Sequence, residues 1–352
     1  MNTQPPKKNT NKMLLIALFS GIGVIVILLI VILILMLPGK ETEDASATSA
    51  AYIVNAESPT IDPTTPPPST TPAALIPSPS PPPTDNPADD IALLQGNLDD
   101  FFAANALAAN DRWAVCAVDV ESGALAYSGN SANAPAIAAS LIKIFIAGAI
   151  YDEAENRADF SIGSNERASL ETMLRDSDNA AANELIKALG NGGFEAGFAR
   201  VNAFAESIGC HDTKLNRKLA PAPGETVADD NYTSVQDCAT ALRLIAQGEF
   251  ISEEASAEIA SWMGAPSWNT NKTSKIQAGV FAIDSSAGVA NKTGENITPC
   301  IVENDIAIIT LSGGEQYVLC IMSNSDNSSR AKGTICQVTG LVHNFFLELK
   351  RP

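Results

Sequence analysis

The sequence predicts an α+β domain, an antiparallel five-stranded sheet plus a helical lobe, preceded by one transmembrane helix. Three observations predict it. Strand-like segments stand at both ends of residues 91–352, helical spacing fills the region between them, and an uncharged apolar run lies near the N-terminus.

The apolar run comes first. Met13–Leu37 carries no charge and, at about 25 residues, is long enough to cross a bilayer as a helix. Lys7, Lys8 and Lys12 precede it, and Lys40 is followed by Glu41, Glu43 and Asp44. That lysine asymmetry makes residues 1–12 a cytoplasmic tail and places everything after Leu37 outside. A cleaved signal peptide is the alternative, but its apolar core would be shorter and end in small residues, whereas this one ends Leu35-Met36-Leu37-Pro38. Residues 38–90 then turn to Pro, Ser, Thr and Ala, as in "PTTPPPSTTP". Such a segment buries too little apolar surface to offset the entropy of ordering, so a semi-extended tether is expected. At polyproline spacing it reaches on the order of 150 Å, as a spacer across a wall-sized layer or as a passive linker.

Residues 91–352 form the predicted domain. Ile91–Ala109 reads as a helix with Leu94, Leu98, Phe101 and Phe102 on one stripe, and Arg112–Asn130 as two strands about a Glu-Ser-Gly turn. A helix opens near Ala139. From Tyr151 to Met263 helices dominate, over Leu170–Leu174, Ala180–Leu189, Phe194–Ile208 and Val235–Gln247. Among them runs a long polar loop, "TKLNRKLAPAPGETVADDNYTS", of a length often tied to function. Strands return at Gly288–Lys292, Asp305–Leu311 and Tyr317–Ser323, and a helix covers Ala331–Leu349.

Composition excludes some functions. The net charge is −18 with no basic block, so no nucleic-acid partner is expected. With two histidines and no CxxC pair the ligands are too sparse for a zinc site, and no metal or cofactor is expected. Six cysteines in an exported domain are compatible with disulfides, and Cys210–Cys238, closing the Pro-rich loop, is the first expected pair.

The chemistry starts at Ser140-Leu141-Ile142-Lys143. A lysine three residues after a serine shares its helix face, here inside an otherwise apolar run. Serine needs a base within hydrogen-bond reach, and a desolvated lysine beside a second cation can serve. A lysine snorkelling from a helix end is the plainer explanation. Ser177-Asp178-Asn179 precedes a helix and reads equally as an N-cap. Lys292-Thr293-Gly294 closes a strand and reads equally as a strand end and turn.

Together, in this order, the three triplets form the set found in class A β-lactamases and penicillin-binding proteins. The flanking "WAVCAVDVESGALAY", "SLIKIFIAGAIYDEA", "MLRDSDNAAANELIKALG" and "NKTGENITPCIVENDIAII" resemble class A β-lactamase-like serine hydrolases, from about Ile91 to the C-terminus. The resemblance implies the α/β β-lactamase/transpeptidase fold, with the serine opening a buried helix between two lobes, and an extracytoplasmic bacterial domain. It also implies roles. Ser140 would form the acyl-enzyme, and Lys143 would take its proton. Ser177 would relay a proton to the leaving nitrogen, and Asn179 would hold the substrate amide. Lys292 and Thr293 would bind the substrate carboxylate beside Gly294, with Lys292 also keeping Lys143 deprotonated. The backbone N–H groups of Ser140 and Glu295 would form the oxyanion hole.

Two departures stand out. "TKLNR" resembles the β-lactamase loop up to Arg217, but the deacylating glutamate of that family is replaced by Leu219, and Glu225 lies beyond two prolines. Small penicillin-binding proteins related to class A β-lactamases carry leucine there. Glu295 puts a carboxylate after Lys-Thr-Gly, where Ser or Thr is usual. The implied function is a D,D-peptidase acting on peptidoglycan peptide stems, with slow β-lactam deacylation. A class A β-lactamase is the nearest alternative, and a β-lactam or muropeptide sensor that acylates once is another.

Overall fold

The computed structural model describes residues 87–105, 108, 110–221, 229–265, 275–297 and 299–349. The apolar run 13–37 and the tether up to residue 86 lie outside them, as does Glu225. Among the described residues no helix is long and apolar enough to cross a membrane.

The sheet contains β1 (Arg112–Asp119), β2 (Leu125–Ser128), β5 (Gly288–Asn296), β6 (Ile301–Thr310) and β7 (Gln316–Ser325), in the order β2-β1-β7-β6-β5. The pairings β1–β2, β1–β7, β5–β6 and β6–β7 are all antiparallel, as expected. β1 and β7 are central and read as nearly continuous apolar runs because both faces are covered. The order leaves β5, the strand of Lys292, at one edge. A minor pair, β3 (Ala136–Ile137) with β4 (Tyr232–Thr233), has no clear sequence signal.

One face of the sheet is covered by α1 (Pro87–Ala104), α8 (Lys275–Phe281) and α9 (Ser328–Leu349). α1 starts at Pro87 rather than Ile91, since proline suits a first helical turn, and ends at Ala104 rather than Ala109. Tyr317 of β7 stacks on Phe346 of α9 at 4.2 Å. The opposite face meets the helical lobe: α2 (Lys143–Asn156), α3 (Ser164–Arg175), α4 (Asn179–Leu189), α5 (Phe194–Ser207), α6 (Val235–Gln247) and α7 (Glu253–Met263). α2 is buried almost all round from Lys143 to Tyr151, which accounts for its lack of a polar stripe. Its Gly148 lets Phe204 and Phe250 approach, since a Cβ there would lie 2.2 Å from the Phe204 ring.

The expected disulfide is absent. All six cysteines are free thiols. The Cys210 thiol donates to the Asp237 carbonyl at 3.3 Å, while Cys238 lies 3.6 Å from the Thr233 hydroxyl. The cysteines at the loop's ends are therefore each held by a separate polar partner within the core.

Candidate active site

The predicted helix at Ala139 divides in two. Ala139–Ile142 is a single 3-10 turn, and the α-helical pattern starts at Lys143. Ala139 holds φ 47°, a left-handed conformation costly for a residue with a Cβ. The tight turn has two external ties. Ala138 N–H donates to Asn231 O at 2.8 Å, and Asn304 Nδ2 of β6 donates to Ile137 O at 2.9 Å. Ser140 itself is half-buried at the front of the turn.

Lys143 is fully buried. Its Nζ lies 3.0 Å from Ser140 Oγ, 2.8 Å from Asn179 Oδ1 and 3.2 Å from Ser177 Oγ, and it also donates to the Ser177 carbonyl. A neutral amine has two N–H groups and one lone pair. With the amine neutral, the Ser177 carbonyl and Asn179 Oδ1 take the two hydrogens and leave the lone pair for the hydroxyls. Burial holds the Lys143 amine well below its usual range, and the Lys292 ammonium adds to the shift against a weaker pull from Asp178. An amine so placed can, when neutral, accept the serine proton.

Ser177 occupies a second left-handed position, φ 60°, between α3 and α4. The two readings of its triplet divide by residue. Asp178 is the N-cap, accepting from Ala181 N–H at 2.7 Å, while Ser177 and Asn179 turn towards Lys143. Lys292 Nζ donates to Ser177 Oγ at 2.8 Å and to Thr293 O at 3.0 Å. Burial lowers the Lys292 amine to about 8, against the attraction of Asp305 and Glu295.

Strand alternation gives Lys292 and Gly294 one face of β5, and Thr293 and Glu295 the other. Gly294 is pressed on the serine's turn: a Cβ there would sit 2.8 Å from Ala138 O and 3.1 Å from Leu141 Cγ. Only glycine lets the edge strand come this close to the turn that carries Ser140. Lys-Thr-Gly lies within the strand, not at its end.

The polar loop is fixed at its start. Leu219 is buried, and its backbone N–H and C=O pair with the Asn183 amide at 2.9 and 2.8 Å. Arg217 pairs with Asp230 at 2.8 Å, and Asn231 Oδ1 accepts from Asn216 and Arg217 N–H. Ala220 is left-handed, φ 47°. The residue two after Arg217 is apolar in space as in sequence.

Ser140, Lys143, Ser177, Asn179 and Lys292 are thereby linked by contacts around one centre with Gly294 pressed on the serine's turn, while the Thr293 and Glu295 side chains lie on the other face of β5. Sequence reasoning missed Asn183, Asn231, Asn304 and Lys275. Asn183 had a usable signal, four residues after Asn179 on the same face of α4. Lys275 had none. It opens α8 with φ 42°, is fully buried, and its Nζ lies 2.8 Å from both Glu295 Oε1 and Glu303 Oε2. Among the described residues, no group of three or more His, Cys, Asp or Glu could hold a metal.

The family model of the beta-lactamase enzyme family matches residues 166–346, which includes Ser177, Asn179 and Lys292 and begins after Lys143. Similar solved structures cover more. A leucine-to-glutamate mutant of PBP-A, in an acyl-enzyme complex with penicillin G, is 24% identical with a TM-score of 0.58, over 74% of this chain and 98% of its own. A class A beta-lactamase from Mycobacterium abscessus is 23% identical, TM-score 0.54, over 74% and 98%. A beta-lactamase from Desulfarculus baarsii DSM 2075 is 20% identical, TM-score 0.53, over 74% and 96%. At these identities the structural likeness establishes the fold.

Proposed function

The chain belongs to the beta-lactamase enzyme family and is a serine hydrolase of β-lactamase or D,D-peptidase type, and from that premise we propose that it is a membrane-tethered D,D-peptidase of bacterial peptidoglycan that releases β-lactams slowly. The observation that carries the reading is a pair: Lys143 Nζ at 3.0 Å from Ser140 Oγ, and a buried Leu219 at the loop position where a deacylating acid is expected.

In this mechanism Ser140 Oγ attacks the substrate carbonyl while its proton passes to Lys143 Nζ. The oxyanion draws on the backbone N–H groups of Ser140 and Glu295. Ser177 Oγ, 3.2 Å from Lys143 and 2.8 Å from Lys292, returns a proton to the leaving nitrogen. Asn179 orients the substrate amide, and Lys292 and Thr293 take its terminal carboxylate. β5 ends the sheet, so an extended peptide can lie along it as an added strand. Without an acid at Leu219, hydrolysis of a penicilloyl-enzyme loses about 10²–10⁴-fold.

The test is to incubate the full-length chain with labelled penicillin and follow the adduct, its decay, and D-Ala release from a stem peptide. A long-lived adduct absent in Ser140→Ala, together with D-Ala release, is expected. Rapid turnover of penicillin would make the protein a β-lactamase, and a stable adduct without peptide cleavage would make it a sensor. For localisation, the run at residues 13–37 supports a single-pass anchor with residues 1–12 cytoplasmic. The chain should then sediment with membranes and be cleaved by protease added outside wall-stripped cells. Recovery in the soluble cytoplasmic fraction would refute the tether.

A further inference from the structure

Glu295 and Glu303 are direct partners across β5 and β6. Two carboxylates in that relation repel and destabilise a strand pair. They also lie beside Thr293, at the end of the site that is to receive an anion. A cation resolves the conflict. Lys275 Nζ lies 2.8 Å from Glu295 Oε1 and from Glu303 Oε2, and it donates to Asn304 O at 3.1 Å. Glu303 is further held by Ser328 Oγ at 2.5 Å and by Lys332 at 3.5 Å. The Glu295 side chain remains 56% exposed, so that carboxylate is open to solvent on one side.

The position of Lys275 is a demanding one. Its side chain has no exposure, and its backbone is left-handed although it is not glycine. Burial disfavours its charge, but Glu295, Glu303 and Asp305 outweigh burial and keep the ammonium. The Glu295 carboxyl is correspondingly held below its usual range by Lys275, although burial opposes this.

We propose that Lys275 is a positioning residue for substrate charge: by bridging Glu295 and Glu303 it offsets, together with Lys332 on Glu303, the two carboxylates next to Thr293, so that Lys292 can hold an anionic substrate terminus. The inference rests on the serine-hydrolase reading above. It gives Glu295 a role as well, since a carboxylate tied to Lys275 admits an acid only while the tie holds.

The experiment compares acylation of Ser140 by benzylpenicillin and by its neutral methyl ester in the full-length chain. Wild type should prefer the acid. Lys275→Met frees both carboxylates and should cut the acid-to-ester rate ratio by on the order of tenfold, the usual effect of one unit of charge at a partly solvated site. Lys275→Arg should restore most of the ratio, and Lys275→Met with Glu295→Gln should restore part of it. Should Lys275→Met fail to fold, Glu295→Gln alone in the wild-type background should raise the ratio. An equal fall for acid and ester in Lys275→Met, or a ratio unmoved by Glu295→Gln, would overturn the proposal. A wild-type chain that forms no adduct with either compound would instead overturn the serine-hydrolase reading, and this inference with it.

Discussion

In the proposed mechanism Lys143 serves as a base only because of what surrounds it, and that dependence is measurable. Acylation needs Lys143 neutral and Lys292 charged. The rate should therefore rise with pH through the lowered Lys143 value, then fall as Lys292 loses its proton at about 8. Lys292→Arg keeps its charge throughout, so the alkaline limb should move up by about one pH unit or more. Adduct formation followed from about pH 5 to about pH 10 reads both limbs, and an alkaline limb that stays in place would belong to another group. Leu219 offers the complementary change. Leu219→Glu sets a carboxyl two residues after Arg217, and should shorten the life of the penicillin adduct by about tenfold or more. Burying that group should cost about 1–3 kcal/mol of stability. An adduct that decays at the wild-type rate would mean that the loop leaves no room for the attacking water.

At the scale of elements, the site is assembled by side chains that clamp backbone. Asn183 on α4 forms both of its amide bonds with Leu219, so Asn183→Ala strands a buried N–H and C=O. That change should cost about 1–3 kcal/mol, and limited proteolysis should cut faster between Leu219 and Asn231. Unchanged denaturation and cutting would show that the Arg217–Asp230 pair holds the loop alone. Ser140 and Lys143 were legible in the sequence because their spacing puts both on one helix face, and Ser177 and Lys292 through the family resemblance of the three ordered triplets. The strands β1, β5, β6 and β7 were legible as β-branched or apolar runs. The rest depended on distant pairing. α8 is seven residues long and opens next to a segment without periodicity, and the ties from Asn231 and Asn304 to the serine's turn span many residues of chain. The 3-10 turn at Ser140 was hidden for a related reason. Its composition is that of the helix it precedes, and only the left-handed Ala139 separates them.

For the whole molecule, two cores on opposite faces of one sheet make the fold independent of cross-links. Burial pushes the thiols of Cys116 and Cys238 up to about 12, so they are poor nucleophiles for exchange. Thiol titration of the denatured chain without reductant should count six, and any lower count would restore a disulfide. Of the five described non-glycine residues with left-handed backbone, Ala139 precedes Ser140, Ser177 contacts Lys143, Ala220 follows Leu219 and Lys275 pairs with Glu295. Glycine at 139 or 220 would relieve about 1–2 kcal/mol, against about 0.4–1 kcal/mol of added freedom in the unfolded chain. A lineage selected for survival in heat therefore meets its easiest gains at the walls of its own reaction chamber, where each gain also loosens the geometry that turnover requires.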